Sequence, residues 1–202
     1  MQQIKGAVLK SRLAFVEQHA GKEGVEQVLK SLPPGEQRTL RMIFTSNWYP
    51  FELGTLLDDA IVREIGAGDP GFFERLGEAS AETNLRGIHS GYLTKGDAHA
   101  FLAKAPSIYT LYYESGRREY QPTGPNEGVL TTVDAPSFSA ADCQTVIGWH
   151  RKALEMCGMK GVQIVEEECR AKGGTVCRYR IRWARLSGTF TVPPEAGGPR
   201  SG

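Results

Sequence analysis

Apolar positions in the first hundred residues recur at helical intervals. Ile4, Val8, Leu9, Leu13 and Val16 mark one face of a helix over residues 4–19. GKEGVEQVLKSLPPGEQ, residues 21–37, predicts a short second helix stopped by Pro33 and Pro34, since proline has no amide hydrogen to donate and its ring clashes with the turn before it. WYPFELGTLLDDAIVREIGAGDPGFFERLGEASAE, residues 48–82, predicts two more helices separated by Gly66 to Pro70. The last of these extends, broken at its glycines, through LRGIHSGYLTKGDAHAFLAKAP, residues 85–106.

At Pro106 the pattern changes. SIYTLYYES (107–115) and GVLTTVDA (128–135) are rich in β-branched and aromatic residues and predict strands. The intervening GRREYQPTGPNEG (116–128) reads as turn chemistry. SFSAADCQTVIGWHRKALEMCGMKG (137–161) is helical, with Ser139 placed to cap it, Asp142 three residues on, and Gly158 or Gly161 to end it. VQIVEEEC (162–169) and TVCRYRIRW (175–183) then predict a hairpin around Lys172, Gly173 and Gly174. This order predicts an α+β fold: N-terminal helices packed on one face of an antiparallel sheet of about four strands, with a long helix between two hairpins. It predicts a single domain over residues 1–186, in which 1–35 is a helical N-terminal part, and a disordered tail over 187–202 rich in proline and glycine.

Composition narrows the class. The chain has 202 residues, 24 basic and 23 acidic, for a net charge of +1. That balance gives no electrostatic footprint for nucleic acid. The local run Arg178, Arg180, Arg182 and Arg185 reads as the solvated face of a strand. No segment approaches the ~20 apolar residues of a membrane span, and the amphipathic N-terminus lacks the apolar core and cleavage site of a signal peptide. A cytoplasmic protein is expected, where disulfides are rare, so its four cysteines need another role.

Cys143, Ile147, His150, Leu154 and Cys157 fall at intervals of 4, 3, 4 and 3, one stripe that should face the sheet. Cys143 lies in the first helical turn, where the helix dipole favours a thiolate. Cys169 and Cys177 stand on opposite arms of the hairpin near its turn. Glu166 precedes Cys169 by three, so in a straight strand the two point to opposite faces. Both can hold one ion only if the chain bends at Glu167 or Glu168. With that bend, Cys143, Glu166, Cys169 and Cys177 make a set of three thiolates and one carboxylate that suits tetrahedral zinc. Such a set is closed and therefore structural, worth on the order of 10 kcal/mol to folding. The competing reading is four reduced core cysteines, and spacing alone favours it, since C-x7-C is not a common finger pattern.

Cys143, Gly148 and Trp149 as C-x4-G-W, with Glu166, Cys169 and Cys177 as E-x2-C-x7-C, resemble the 4-vinyl reductase domain family, and within it the sensor domains of aromatic-responsive sigma-54 activators. The resemblance implies a structural zinc held by one Glu and three Cys. WYPFELGTLLDDAIVREIG and the closing YRIRW resemble a paralogous, largely uncharacterised family abundant in myxobacteria. That family shares the broader fold of 4-vinyl reductase, heme-NO-binding and TRAPP-like domains, which implies a sensor-like domain that dimerises through its helices. The phenol-sensing relatives hold their ligand with a His and a Trp upstream of the first Cys; neither is in register here, so phenol recognition does not carry over. No ATPase or DNA-binding domain follows, so output is expected through a partner chain. Tyr113, Ser115 and Arg117 also spell Y-x-S-x-R, which resembles the propionate-binding motif of heme-NO-binding domains, although neither His89 nor His99 sits at that family's usual interval for an axial ligand.

The remaining chemistry is sparse. His150 is a fifth ligand candidate or, more simply, a hydrogen-bonded core histidine. Glu167 and Glu168 have no partnered nucleophile and read as solvated or as shaping the bend. GAGDPG at 66–71 lacks the Lys of a P-loop and reads as a loop. Trp48, Tyr49, Phe51, Phe72, Phe73 and Phe101 are candidates to line an apolar pocket, or core. The expected function is a non-catalytic signalling sensor or scaffold domain with a structural zinc. It is expected to bind a small apolar ligand or a protein partner and to form a homodimer. A heme-based gas sensor is the alternative, and an enzyme, by analogy with the reductase name, a third reading without a cofactor fingerprint.

Overall fold

The computed structural model describes residues 2–87 and 89–184; the predicted tail and Arg185 lie outside the described residues. The chain opens with a short strand, β1 (Gln3–Lys5), where a helix was expected. It pairs antiparallel with β2 (Trp48–Pro50). Helix α1 (Gly6–Lys30) spans both predicted N-terminal helices and kinks at Gly21, whose φ of 69° only glycine adopts freely. Pro34 begins α2 (Pro34–Arg41): a proline that cannot continue one helix is well suited to the first turn of the next. Helices α3 (Phe51–Glu64) and α4 (Gly71–Arg86) flank the expected Gly66–Pro70 break. Helix α4 stops at Arg86, and the region after it holds a single 3-10 turn, Ser90–Tyr92, and α5 (Ala98–Leu102).

Residues 107–115 correct the sequence reading. They are not a strand: α6 covers Ala105–Tyr112. Ala105, Ile108, Tyr109 and Tyr112 are all buried, and their spacing is that of one helical face, which outweighs the β propensity of the individual residues. Only Tyr113 beyond its end forms a bridge, to Ile4. The first sheet strand is instead β3 (Arg117–Gly124), inside the stretch read as turn. As an edge strand it tolerates Pro122. It pairs with β4 (Glu127–Val133), so only its last residues form the turn.

Helix α7 (Ala140–Met156) follows, then β5 (Lys160–Glu168) and β6 (Cys177–Ala184). The four strands form an antiparallel sheet in the order β3-β4-β6-β5. Along β6, Cys177, Tyr179, Ile181 and Trp183 are buried on one face. On the other, Arg178 pairs with Glu168, Arg180 with Glu127 and Glu167, and Arg182 with Glu127. The predicted arginine face is therefore a ladder of surface ion pairs. The stripe Cys143, Ile147, His150, Leu154 and Cys157 is buried, as its spacing requires.

Helices α4 and α7 cross at unusually close range, and two glycines allow it. A Cβ on Gly148 would lie 1.9 Å from the Glu74 carbonyl oxygen, and one on Gly77 would lie 2.0 Å from that of Thr145. This explains the glycine of the C-x4-G-W pattern by packing. Two apolar cores result. One joins α4–α7 to the sheet, and the other closes α1–α4 on themselves. Val8 and Tyr113 touch both. Between the cores runs a seam of polar side chains, among them the buried Arg12, Asp58 and Arg118 and the half-buried Asp142.

Candidate metal centre

The first sulfur is fixed by the start of α7. The Ser139 hydroxyl accepts the Asp142 amide at 2.9 Å, the predicted cap, which satisfies a donor the helix leaves free. That sets Cys143 in the first turn, buried. The other two sulfurs are fixed by the β5–β6 hairpin. Glu166 pairs with Tyr179 and Glu168 with Arg178, so two steps on β5 oppose one on β6. This irregularity is the bend the sequence demanded at Glu167 or Glu168. Past it, the Cys169 carbonyl accepts the amides of Lys172 at 3.0 Å and Gly174 at 2.9 Å. Glu168 Oε1 accepts the Thr175 amide and hydroxyl at 2.7 and 2.8 Å. Glu168 is thus a brace for the loop, and Glu167 is spent on Arg180.

These devices bring Cys143, Cys169 and Cys177 together. Cys143 Sγ lies 3.6 Å from Cys169 Sγ and 3.5 Å from Cys177 Sγ, and all three sulfurs lie within 4.8 Å of one another. No disulfide joins them. A zinc ion bound at ~2.3 Å to each sulfur sets tetrahedral edges of about 3.8 Å, close to the observed spacing. Glu166 lies beside this cluster rather than in it. Its side chain is only 8% exposed, and Oε2 accepts Lys172 Nζ at 2.6 Å. Its Oε1 is buried with no hydrogen-bond partner among the described residues. Its charge reaches Cys169, whose thiol is pushed up first by burial and further by Glu166. A buried carboxylate oxygen without a partner beside three buried sulfurs is compatible with a metal site. Cys157 is buried elsewhere in the core, and His150 points its Nδ1 at the Val146 carbonyl, 2.9 Å away, outside the cluster.

The protonation states support the same conclusion. The hydrogen bond from Cys143 holds Cys177 down to about 6, helped by the Arg170 backbone amide. The same hydrogen bond, with burial behind it, pushes Cys143 well up. The two thiols are thus pushed in opposite directions, Cys177 toward the thiolate and Cys143 away from it. A divalent cation bound there would displace the thiol protons.

A second feature lies in the seam, a cavity of about 40 Å³ between α1, α4, α6 and α7. Arg118, Tyr112, Tyr113, Val146, Trp149 and His150 are in its wall. None of the six aromatics proposed from sequence lines it; Phe51, Phe72 and Phe101 are core, and Trp48, Tyr49 and Phe73 are half-buried packing. Of the Y-x-S-x-R residues, Tyr113 is half-buried and donates to Asp142 at 2.9 Å, while Arg117 is exposed and paired with Glu119 and Asp134. The neighbouring Arg118 turns inward instead, which the turn-like reading of this stretch did not reveal.

The fold is that of the H-NOX proteins. The unliganded Fe(II) H-NOX protein from K. algicida superposes with a TM-score of 0.70 at 15% identity, covering 89% of this chain and 96% of that one. The S. oneidensis H-NOX protein in the Fe(II)NO state gives 0.68 at 14%, covering 89% and 99%. A structure probing heme distortion in the H-NOX family gives 0.68 at 14%, covering 89% and 94%. By sequence, residues 73–184 match the family described as protein of unknown function, DUF2378, and the chain belongs to that family. No curated protein matches it.

Heme does not fit the residues present. The seam cavity of about 40 Å³ has room for roughly a few waters, against the ~300–1,000 Å³ of small-molecule sites. His89 and His99 do not line it. Both ring nitrogens of His99 are engaged, with Tyr120 Oη at 2.6 Å and the Pro125 carbonyl at 3.1 Å.

Proposed function

We propose that the chain is a non-catalytic sensor or scaffold domain in signalling, stabilised by a structural zinc on Cys143, Cys169 and Cys177, with Glu166 as the fourth ligand. The observation that carries this reading is the buried sulfur cluster, with spacings of 3.5 and 3.6 Å. When bound, zinc supplies a closed, redox-inert cross-link. The chain's own part is to hold the ligands in place: the Ser139 cap positions Cys143, and the bulge and glycine turn position Cys169. Amides of Arg170 and Ala171 direct hydrogen bonds at Cys177 and Cys169 and favour their thiolates. The cross-link ties the start of α7 to the last hairpin, so that α7 is anchored while its other faces line the seam.

The seam cavity supports the ligand-binding half of the proposal. Ligand occupancy would be read out through a partner chain, here a second copy of the same domain meeting it through its helices. Elemental analysis of protein purified without chelator should find close to one zinc per chain; well under one removes the site. Heme reconstitution should give no Soret band, and a Soret band would favour the gas-sensor alternative instead.

A further inference from the structure

Arg118 is buried, 7% exposed, yet among the described residues it makes no ion pair. Its Nε and Nη2 both donate to the neutral Thr132 hydroxyl, at 3.2 and 3.0 Å. Its guanidinium lies 5.0 Å from the centre of the Tyr109 ring. Asp142 is near enough to feel the Arg118 charge but does not pair with it. A buried guanidinium with no carboxylate in contact is incompletely satisfied, and it matches a carboxylate with two parallel hydrogen bonds.

Most other polar groups of the cavity wall are already engaged. Arg12 is held by Asp58 at 2.8 Å and the Leu76 carbonyl at 2.9 Å. Ser80 accepts from Ser11 at 3.0 Å, and Thr145 donates to the Asp142 carbonyl at 2.9 Å. The hydroxyls of Tyr109 and Tyr113 donate to Ser115 and Asp142, each at 2.9 Å. His150 uses only its Nδ1, on Val146, and the Trp149 indole N–H has no partner among the described residues; the buried exception besides Arg118 is Tyr112. It is 6% exposed, and its hydroxyl is buried without a partner among the described residues. The rest of the wall, including Val8, Ile108, Val146 and Trp149, is apolar.

We propose that this cavity binds a small monocarboxylate: the carboxylate pairs with Arg118, an apolar tail lies among Val8, Ile108, Val146 and Trp149, and Tyr112 supplies a second hydrogen bond. The inference deepens the ligand-binding part of the proposed function and does not depend on the zinc. The cavity takes a ligand of a few heavy atoms as it stands, and an aromatic acid only by outward movement of its walls, so the experiment carries both arms.

The full chain is titrated with propionate, butyrate and benzoate at fixed pH and ionic strength, with chloride and propionamide as controls. Melting temperature and calorimetric binding are read, and zinc content is measured on the same samples. At least one carboxylate should raise the melting temperature saturably, while chloride and the neutral amide should not. Arg118→Met should abolish the shift. Tyr112→Phe removes an unpartnered hydroxyl and so should fold at least as stably as the parent, while weakening binding about three- to tenfold, the loss of one hydrogen bond. Should Arg118→Met not fold, Tyr112→Phe decides alone. No carboxylate exceeding chloride, or equal binding to parent and Tyr112→Phe, would overturn the proposal. Carboxylate binding by zinc-free protein would sink the metal centre and leave this inference standing; zinc without carboxylate binding would do the reverse.

Discussion

The cysteine cluster and the polar seam are both buried and both polar, but their electrostatic deficits are opposite. The cluster gathers three sulfurs and places a partnerless carboxylate oxygen beside them, an arrangement a cation would complete. The seam holds Arg12 paired with Asp58, and Arg118 with no carboxylate in contact, Asp142 acting on it only at a distance. Buried polar groups are tolerated where they are paired. Two incompletely satisfied sets of opposite sign, the sulfur cluster and Arg118, are what the two proposals rest on. The cation proposed for the first would close the structure, and the carboxylate proposed for the second would be free to come and go.

The largest test acts on the cluster. Cys169→Ser is expected to lose the zinc and to remove on the order of 10 kcal/mol of folding free energy, comparable with the whole stability of an ordinary domain. Cys157→Ser, also buried but outside the cluster, should cost only about 1–3 kcal/mol, the penalty for a hydroxyl in an apolar site. Urea denaturation and zinc analysis of both variants check this. Similar losses in the two would mean that all four cysteines are ordinary core residues.

The two regions also differed in how far the sequence revealed them. The cluster rests on local rules: a Ser139 cap, a helical stripe and a turn at Gly173 and Gly174 were each visible as spacing. The odd spacing of Glu166 and Cys169 made a bend near Glu167 a condition for the site rather than a prediction, and the register irregularity between Glu166 and Glu168 meets that condition. The α+β order, the long helix and the last hairpin followed in the same way. The seam rests on long-range packing. Arg118 lay in a stretch read as turn, because α6 was taken for a strand on the β propensity of Ile108, Tyr109 and Tyr112. The helical spacing of those same residues was the signal that would have corrected it. Nothing local marks Arg12 as the partner of Asp58, 46 positions away.

The second test asks whether compensation within the seam matters. Asp58→Asn leaves Arg12 buried without its counter-charge and should cost about 3–5 kcal/mol. Asp58 is pushed upward by burial despite the pull of Arg12, so the pair is held under a real desolvation load. Arg118→Met, which removes a cation with no carboxylate in contact and leaves an apolar chain of similar length, should cost less than Asp58→Asn in the ligand-free protein. Equal costs, measured by chemical denaturation, would show that Arg118 is already satisfied and would erase the contrast between the two arginines.

The smallest test uses His150, which lines the same cavity. Burial, and then the Arg118 charge, hold it down to about 3, while the Val146 carbonyl works in the opposite direction. In the unfolded chain an imidazole titrates near ~6.5. Between those values the unfolded state binds a proton that the folded state refuses, so stability falls as pH falls through ~6.5 and continues to fall toward the folded value. At pH ~5 the loss from this one group is about 2 kcal/mol. His150→Gln keeps a donor for Val146 and cannot titrate. The parent should therefore lose about 2 kcal/mol more than the variant between pH ~7 and ~5. Comparing parent with variant cancels the acid sensitivity of the thiolates, which both proteins share. A flat difference would mean that the imidazole is not held neutral and that the seam is less electropositive than Arg118 makes it. A bound carboxylate places negative charge near the same imidazole and raises its folded value. The extra acid loss should therefore shrink when the stabilising acid is present, linking the ligand to Arg118 through a group that neither needs to touch.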